Sequence, residues 1–221
     1  MSTDWLVRES GSIFVLFCWH VALTIIPVVV ALILAIPVGW IAHRSGAFRS
    51  ILLGMAGLLY SIPSLAMFVL LPAIIGTRIL DPLNVVVALT IYSFALLVRN
   101  VDDGLGAVPV ETRQAAEAIG YRPLSRFLMV ELPIAVPVIA AGLRVAVVSN
   151  VSVVSVAALV GMPQLGALFT QGLQLHFLTP IFVGIALCVL LAAVLDWGVV
   201  KFGRCLTPWQ PEVNHRDQLA A

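Results

Sequence analysis

Long apolar runs alternate with short polar breaks along this chain. A segment crossing hydrocarbon must satisfy its backbone amides internally, and about 20 apolar residues cover the roughly 30 Å core, so each run predicts a spanning α-helix. Five spans are predicted, over residues 14–42, 51–75, 84–102, 132–160 and 178–202. In the first, Trp19 and Trp40 stand about 31 Å apart along a helix, the separation of two interfacial aromatic belts. The second contains Ile62, Pro63 and Ser64, where proline removes a backbone donor. Either one kinked span or two half-helices meet that requirement. The third is short unless it leaves the membrane as a helix and continues to Asp102. Between the fourth and fifth, Gly161 to Gly166 and the moderately apolar residues to Phe177 are too broken for a span and too apolar for a free loop. A short helix at or dipping into the membrane surface is expected there.

The longest interior polar segment, residues 103–131, is predicted to be a cytoplasmic loop. Pro109 suits a first helical turn and Gly120 a stop, so a compact helix of about three turns lies between them. Ala115, Ala116 and Ala118 permit close backbone approach, and Glu111, Arg113, Gln114 and Glu117 flank them with polar contacts. Such a surface suits docking into a partner's groove. Pro123 to Val130 follows as an amphipathic stretch along the membrane surface. Grouping Arg44, Arg49, Arg99, Arg113, Arg122, Arg126, Lys201, Arg204 and Arg216 on the cytoplasmic side puts the N-terminus outside and the C-terminus inside. Residues 206–221 then form a cytoplasmic tail, expected to be flexible.

Composition agrees: of 221 residues 61% are hydrophobic and 10% charged, and the mean hydropathy is +1.09. The fold class is therefore all-α integral membrane. With a net charge of +1 and scattered basic residues, no nucleic-acid footprint is present. Asp4, Arg8 and Glu9 precede the first apolar run, unlike a signal peptide, so the N-terminal segment is expected to be retained. Cys18, Cys188 and Cys205 lack metal-site spacing, and His20, His43, His176 and His215 lie in separate regions, so no metal site is expected. Walker, dinucleotide and nucleophile-elbow motifs are missing. No catalytic residue or bound cofactor is expected, and the energy must come from another subunit.

The loop carries a resemblance. Gln114-Ala115-Ala116, three residues, Gly120, nine residues, Val130, Glu131 and Leu132-Pro133 resemble, in register, the Glu-Ala-Ala…Gly…Ile-x-Leu-Pro loop of type I, binding-protein-dependent ABC importer permeases. Gln114 replaces the usual Glu and Val130 the usual Ile. Residues 60–66, 97–100, 130–144 and 161–166 further resemble the permeases of glycine betaine, choline and carnitine importers. The resemblance covers about residues 20–203 and implies the MetI-like permease fold in a bacterial or archaeal cytoplasmic membrane. It also implies a second permease subunit, identical or paralogous, two cytoplasmic ATPases that bind ATP and Mg, and an external substrate-binding protein. A methionine-type amino-acid importer is the neighbouring alternative. An ion-coupled secondary transporter, the less favoured alternative, would normally need intramembrane acids and internal repeats; one acid near a membrane end and no evident repeat argue against it.

Arg144 lies about 16 Å along the helix from Pro133, deep enough that its charge needs water, a bundle interior or an acidic partner. It is a pathway or gate candidate, or a structural arginine that snorkels or pairs, Asp196 being the acid within the last two spans. Ser149 and Asn150 continue that span, either lining the pathway or bonding neighbouring helices. Tyr92 and Pro63 complete the pathway candidates. Tyr60, Phe68, Tyr92 and Phe94 are available for a cation–π cage but equally suit core or lipid contact.

Overall fold

The least apolar of the long spans sits at the centre of the molecule. The computed structural model describes residues 3–209. In it α4 (Pro82–Gly106) packs against α1 (Thr3–His43), α2 (Gly46–Ser61) and α7 (Leu132–Val156), and α9 (Leu178–Leu206) lies along α7. The most apolar 18-residue stretch of α4 has a mean hydropathy of 1.7, below 2.9 in α1 and 2.7 in α9, and 50% of it is buried, against 33% and 22% for those two. Shielded by protein, α4 can carry the buried Asn84, Ser93 and Asp102, whereas α1 and α9 turn Ile33, Leu34, Val189 and Leu190 outward.

Helices in lipid gain no hydrophobic drive toward one another, so close packing and hydrogen bonds hold them. Ala31 and Ala35 on α1, Ala88 and Ala95 on α4, and Ala135 and Ala146 on α7 are all buried at these contacts. At Gly39 an added Cβ would stand 2.6 Å from Val101 Cγ1, so α1 and α4 touch through the missing side chain. Two core layers result. One joins Leu97, Val98, Val101, Leu105, Ala135 and Ile139. The other joins Leu23, Phe68, Val85, Leu89, Tyr92 and Val154.

Residues 51–75 do not form one continuous span. They divide between α2 and α3 (Ser64–Ile75), whose axes bend by 105° at the break. Ile62 and Pro63 take extended backbone, with ψ of 132° and 130°. Proline supplies no N–H and pushes the residue before it out of the helical region, so α2 ends there. Other limits move outward: α1 begins at Thr3 rather than residue 14, and α4 runs past 102 to Gly106. Asp81 caps α4 by accepting from Leu83 N at 2.9 Å, with Pro82 in the first turn.

The loop holds α5 (Val110–Ala118), α6 (Pro123–Arg126) and a π turn, Phe127–Glu131, that feeds α7. A 3-10 turn, Ala157–Val160, ends the fourth span, and α8 (Ala167–Gln174) is the short helix between the last two. Of the tail read as 206–221, residues 210–221 lie outside the described residues.

Candidate translocation pathway and docking loop

On α5, Gln114 and Ala115 are exposed, as are Glu111, Glu117, Ala118, Ile119 and Gly120 nearby. Ala116 turns inward and is buried, so the three alanines do not share one face. Gly120 takes a φ of +93°, a left-handed conformation that glycine adopts without strain and that turns the chain toward α6. Arg126 Nε donates to the buried Glu131 Oε1 at 2.7 Å, and its Nη1 donates to Glu117 on α5. Arg113 Nε, also buried, comes only within 4.0 Å of Glu131 and has no hydrogen-bond partner among the described residues. Phe127 stacks on Trp40 of α1 at 4.7 Å. Helix α5 is thus tied by charge to the π turn that leads into α7, and that turn by a ring to α1.

Motif reading missed Glu131, because it fills a position the family pattern leaves open. Its spacing from Arg126 is five residues, which a π turn stacks and an α-helix does not. A charge placed directly before an apolar span was the available signal. A second cluster binds the same end of the molecule. Buried Asp102 accepts from Arg49 Nε at 2.8 Å and pairs with His43 Nδ1 at 2.9 Å, joining the ends of α1 and α4 to the start of α2.

A cavity of about 220 Å³ opens beside the break in the second span. Tyr60, Ile62 and Ser64 line it from α2 and α3, Tyr92, Ser93 and Leu96 from α4, and Ala146, Ser149, Asn150 and Val153 from α7. Asn150 donates to Ser93 Oγ at 3.0 Å, and the Tyr92 hydroxyl donates to the Ile62 carbonyl at 2.7 Å. Tyr60 and Tyr92 meet edge to face, with centroids 6.1 Å apart. Pro63 forms the break itself. Of the four aromatics singled out, Phe68 is in the core and Phe94 packs against it.

Arg144 does not line this cavity. It pairs with Asp196 of α9 through two bonds of 2.6 and 2.9 Å. The pair borders a second cleft of about 330 Å³, which shares Ser149 with the first. Ser149 therefore links the charged pair to the tyrosine-lined cavity along one face of α7. At the far end of α7, fully buried His20 bonds Gln164 Oε1 at 3.2 Å and the Val151 carbonyl at 3.1 Å. This ties α1 to the connector before α8, a pairing that separate sequence regions gave no reason to expect.

Comparison with known proteins agrees with this architecture. OsmW of Salmonella typhimurium, an osmoprotectant import permease protein, is 34% identical over 92% of this chain and 96% of its own length. OpuBB of Bacillus subtilis, a choline transport system permease protein, is 28% identical over 86% of each. The fold is that of a chain from the inward-facing MetNI methionine ABC transporter, with a TM-score of 0.81 at 21% identity, covering 94% of this chain and all of that one. The family described as binding-protein-dependent transport system inner membrane component matches residues 28–205. This chain belongs to that family, as an inner-membrane permease component of an ABC importer whose class works with an ATPase and a substrate-binding protein.

Proposed function

We propose that this chain forms half of a pathway that imports a quaternary-amine osmoprotectant such as glycine betaine, choline or carnitine. Two cytoplasmic ATPase subunits, which bind ATP and Mg, dock on loop 109–121 through Glu111, Arg113, Gln114, Ala115, Ala116, Glu117 and Gly120. A second permease subunit, identical or paralogous, completes the pathway, and an external binding protein delivers the solute. The observation that carries this reading is the exposed face of α5, bonded through Arg126 and Glu131 to the span that lines the cavity. A push on α5 thereby reaches α7. The substrate class is carried over from relatives such as OsmW and OpuBB.

In this reading the single domain spans residues 1–205, the N-terminus is outside and the C-terminus cytoplasmic. The bent pair α2–α3 counts as one crossing. Support comes from His43, Arg49 and Asp102, which gather the end of α1, the start of α2 and the end of α4 on the side of the docking loop.

Replacing Ala115→Trp tests the docking face. It should leave the permease in the membrane but remove the ATPase from a tagged co-purification and lower glycine betaine uptake by at least about tenfold, as truncating or blocking a hot spot does. Normal uptake with normal co-purification would refute docking at α5. Preferential uptake of methionine by the unmodified transporter would move it to the neighbouring importer class.

A further inference from the structure

The broken second span brings two opposed helix ends to one point. The carbonyl end of α2 carries partial negative charge and the amide end of α3 partial positive charge. Tyr60 and Ile62 from the first and Ser64 from the second all line the cavity of about 220 Å³. Its lining includes no Asp, Glu, Lys or Arg. Tyr92 lies ten residues from Pro82, about 15 Å along α4, which is near the middle of a bilayer about 30 Å thick. Discontinuous helices hold solutes at that depth in other transporters.

A quaternary ammonium group has no N–H and cannot be held by hydrogen bonds. Ring faces and carbonyl dipoles recognise it. Both are here: Tyr60 is 48% exposed, its ring stands against Tyr92, and the α2 carbonyl end lies beside them. On the opposite wall Asn150 is only 3% exposed. It gives its amide to Ser93 Oγ, and its carbonyl oxygen has no protein partner among the described residues. The cavity falls below the roughly 300–1,000 Å³ of drug-sized pockets, so it suits a solute of few heavy atoms.

We infer that this cavity is a transit site on the permease for a small quaternary amine. The ammonium group sits against Tyr60, Tyr92 and the carbonyl end of α2, and the solute's polar end reaches Asn150, Ser93 and Ser64. The inference rests on the importer reading above. Without a formal counter-charge the site binds weakly, which lets a solute leave as readily as it enters.

The test uses the purified permease–ATPase complex without its binding protein, titrated with radiolabelled choline, and the complete transporter reconstituted for uptake. Unmodified complex should show weak, saturable binding that the uncharged isostere 3,3-dimethylbutanol does not displace. Tyr60→Phe keeps the ring and should bind like the unmodified complex. Tyr60→Leu should weaken binding by about three- to thirtyfold, the worth of one cation–π contact, with uptake lowered. No saturable binding in a complex that imports choline, displacement by the isostere, or equal binding by Tyr60→Leu each overturns the site while leaving the importer reading intact. A reconstituted transporter that imports no quaternary amine would instead overturn the importer reading.

Discussion

Glu131 is the residue that anchors loop 103–131 to α7. Its side chain is 8% exposed and accepts from Arg126, itself 12% exposed, which also holds Glu117. A hydrogen bond to a buried charged group contributes about 1.5–3 kcal/mol, and losing the charge leaves Arg126 underpaired. Glu131→Gln keeps the shape, so the chain should still insert and bind its ATPase. Uptake should fall by about tenfold while ATP hydrolysis continues, because force applied at α5 no longer reaches α7. Parallel assays of hydrolysis and uptake in proteoliposomes read this directly: a proportional fall in both would mean that Glu131 serves stability alone. The helix α5 and its stop at Gly120 were legible because Pro109 and Gly120 punctuate the loop and Gln114 to Pro133 has a fixed register. The ion pairs behind them were not, since Arg126 and Glu131 meet only through a π turn and Asp102 meets Arg49 only in the folded bundle. At the cavity, Ser149 and Asn150 were legible as polar groups inside a span and Tyr92 as an aromatic within one. Ser93 and Ser64 were not, because small hydroxyls inside spans serve packing just as often.

The connector between the fourth and fifth spans behaves as a built element rather than a loop. Gln164 Oε1 takes His20 and the Gly166 amide, while its Nε2 donates to the Ser155 carbonyl at 3.3 Å. Gly166 passes so close to that carbonyl that an added Cβ would collide with backbone. Gly166→Ala should therefore displace the turn before α8 and strip Gln164 of its partners, at a cost of about 2–4 kcal/mol. A lower thermal transition of the purified protein, by several degrees, is the expected reading. An unchanged transition would show that the connector shifts freely. Four long apolar helices and the short α8 could be read from hydropathy alone, since lipid demands continuous apolar helices, whereas the second apolar run divides at Pro63. Helix ends could not, because α1 and α4 continue beyond the apolar window wherever capping and protein contact sustain them. Pro63 left two outcomes open in sequence, and the packing of Phe68 and Leu71 against α4 accompanies the broken form.

For the whole molecule, the seam of α7 and α9 has two unlike sides. One is an apolar groove of about 580 Å³ between α1, α7 and α9, lined by Val28, Leu143, Val147, Val194 and Trp197 and suited to acyl chains. The other carries Arg144 and Asp196, whose side chains are 48% and 30% exposed in this single chain. Arg144 lies about 18 Å along the helix from Leu132, a depth at which hydrocarbon does not tolerate a half-exposed charge. That side requires water or protein against it, and on the proposed two-permease reading it would face the pathway and the second permease, with the apolar groove toward lipid. Removing one charge strands the other, so Arg144→Ala and Asp196→Asn should each lower uptake by about tenfold or more. The double exchange Arg144→Asp with Asp196→Arg separates two roles. If the pair acts only within one chain, the exchange restores most of the uptake lost by the single variants. If either charge also contacts solute or the second permease, the exchange stays impaired while each single variant still inserts. The geometry favours the second result, because Ser149 joins this cleft to the tyrosine-lined cavity and nothing among the described residues covers the exposed half of the arginine.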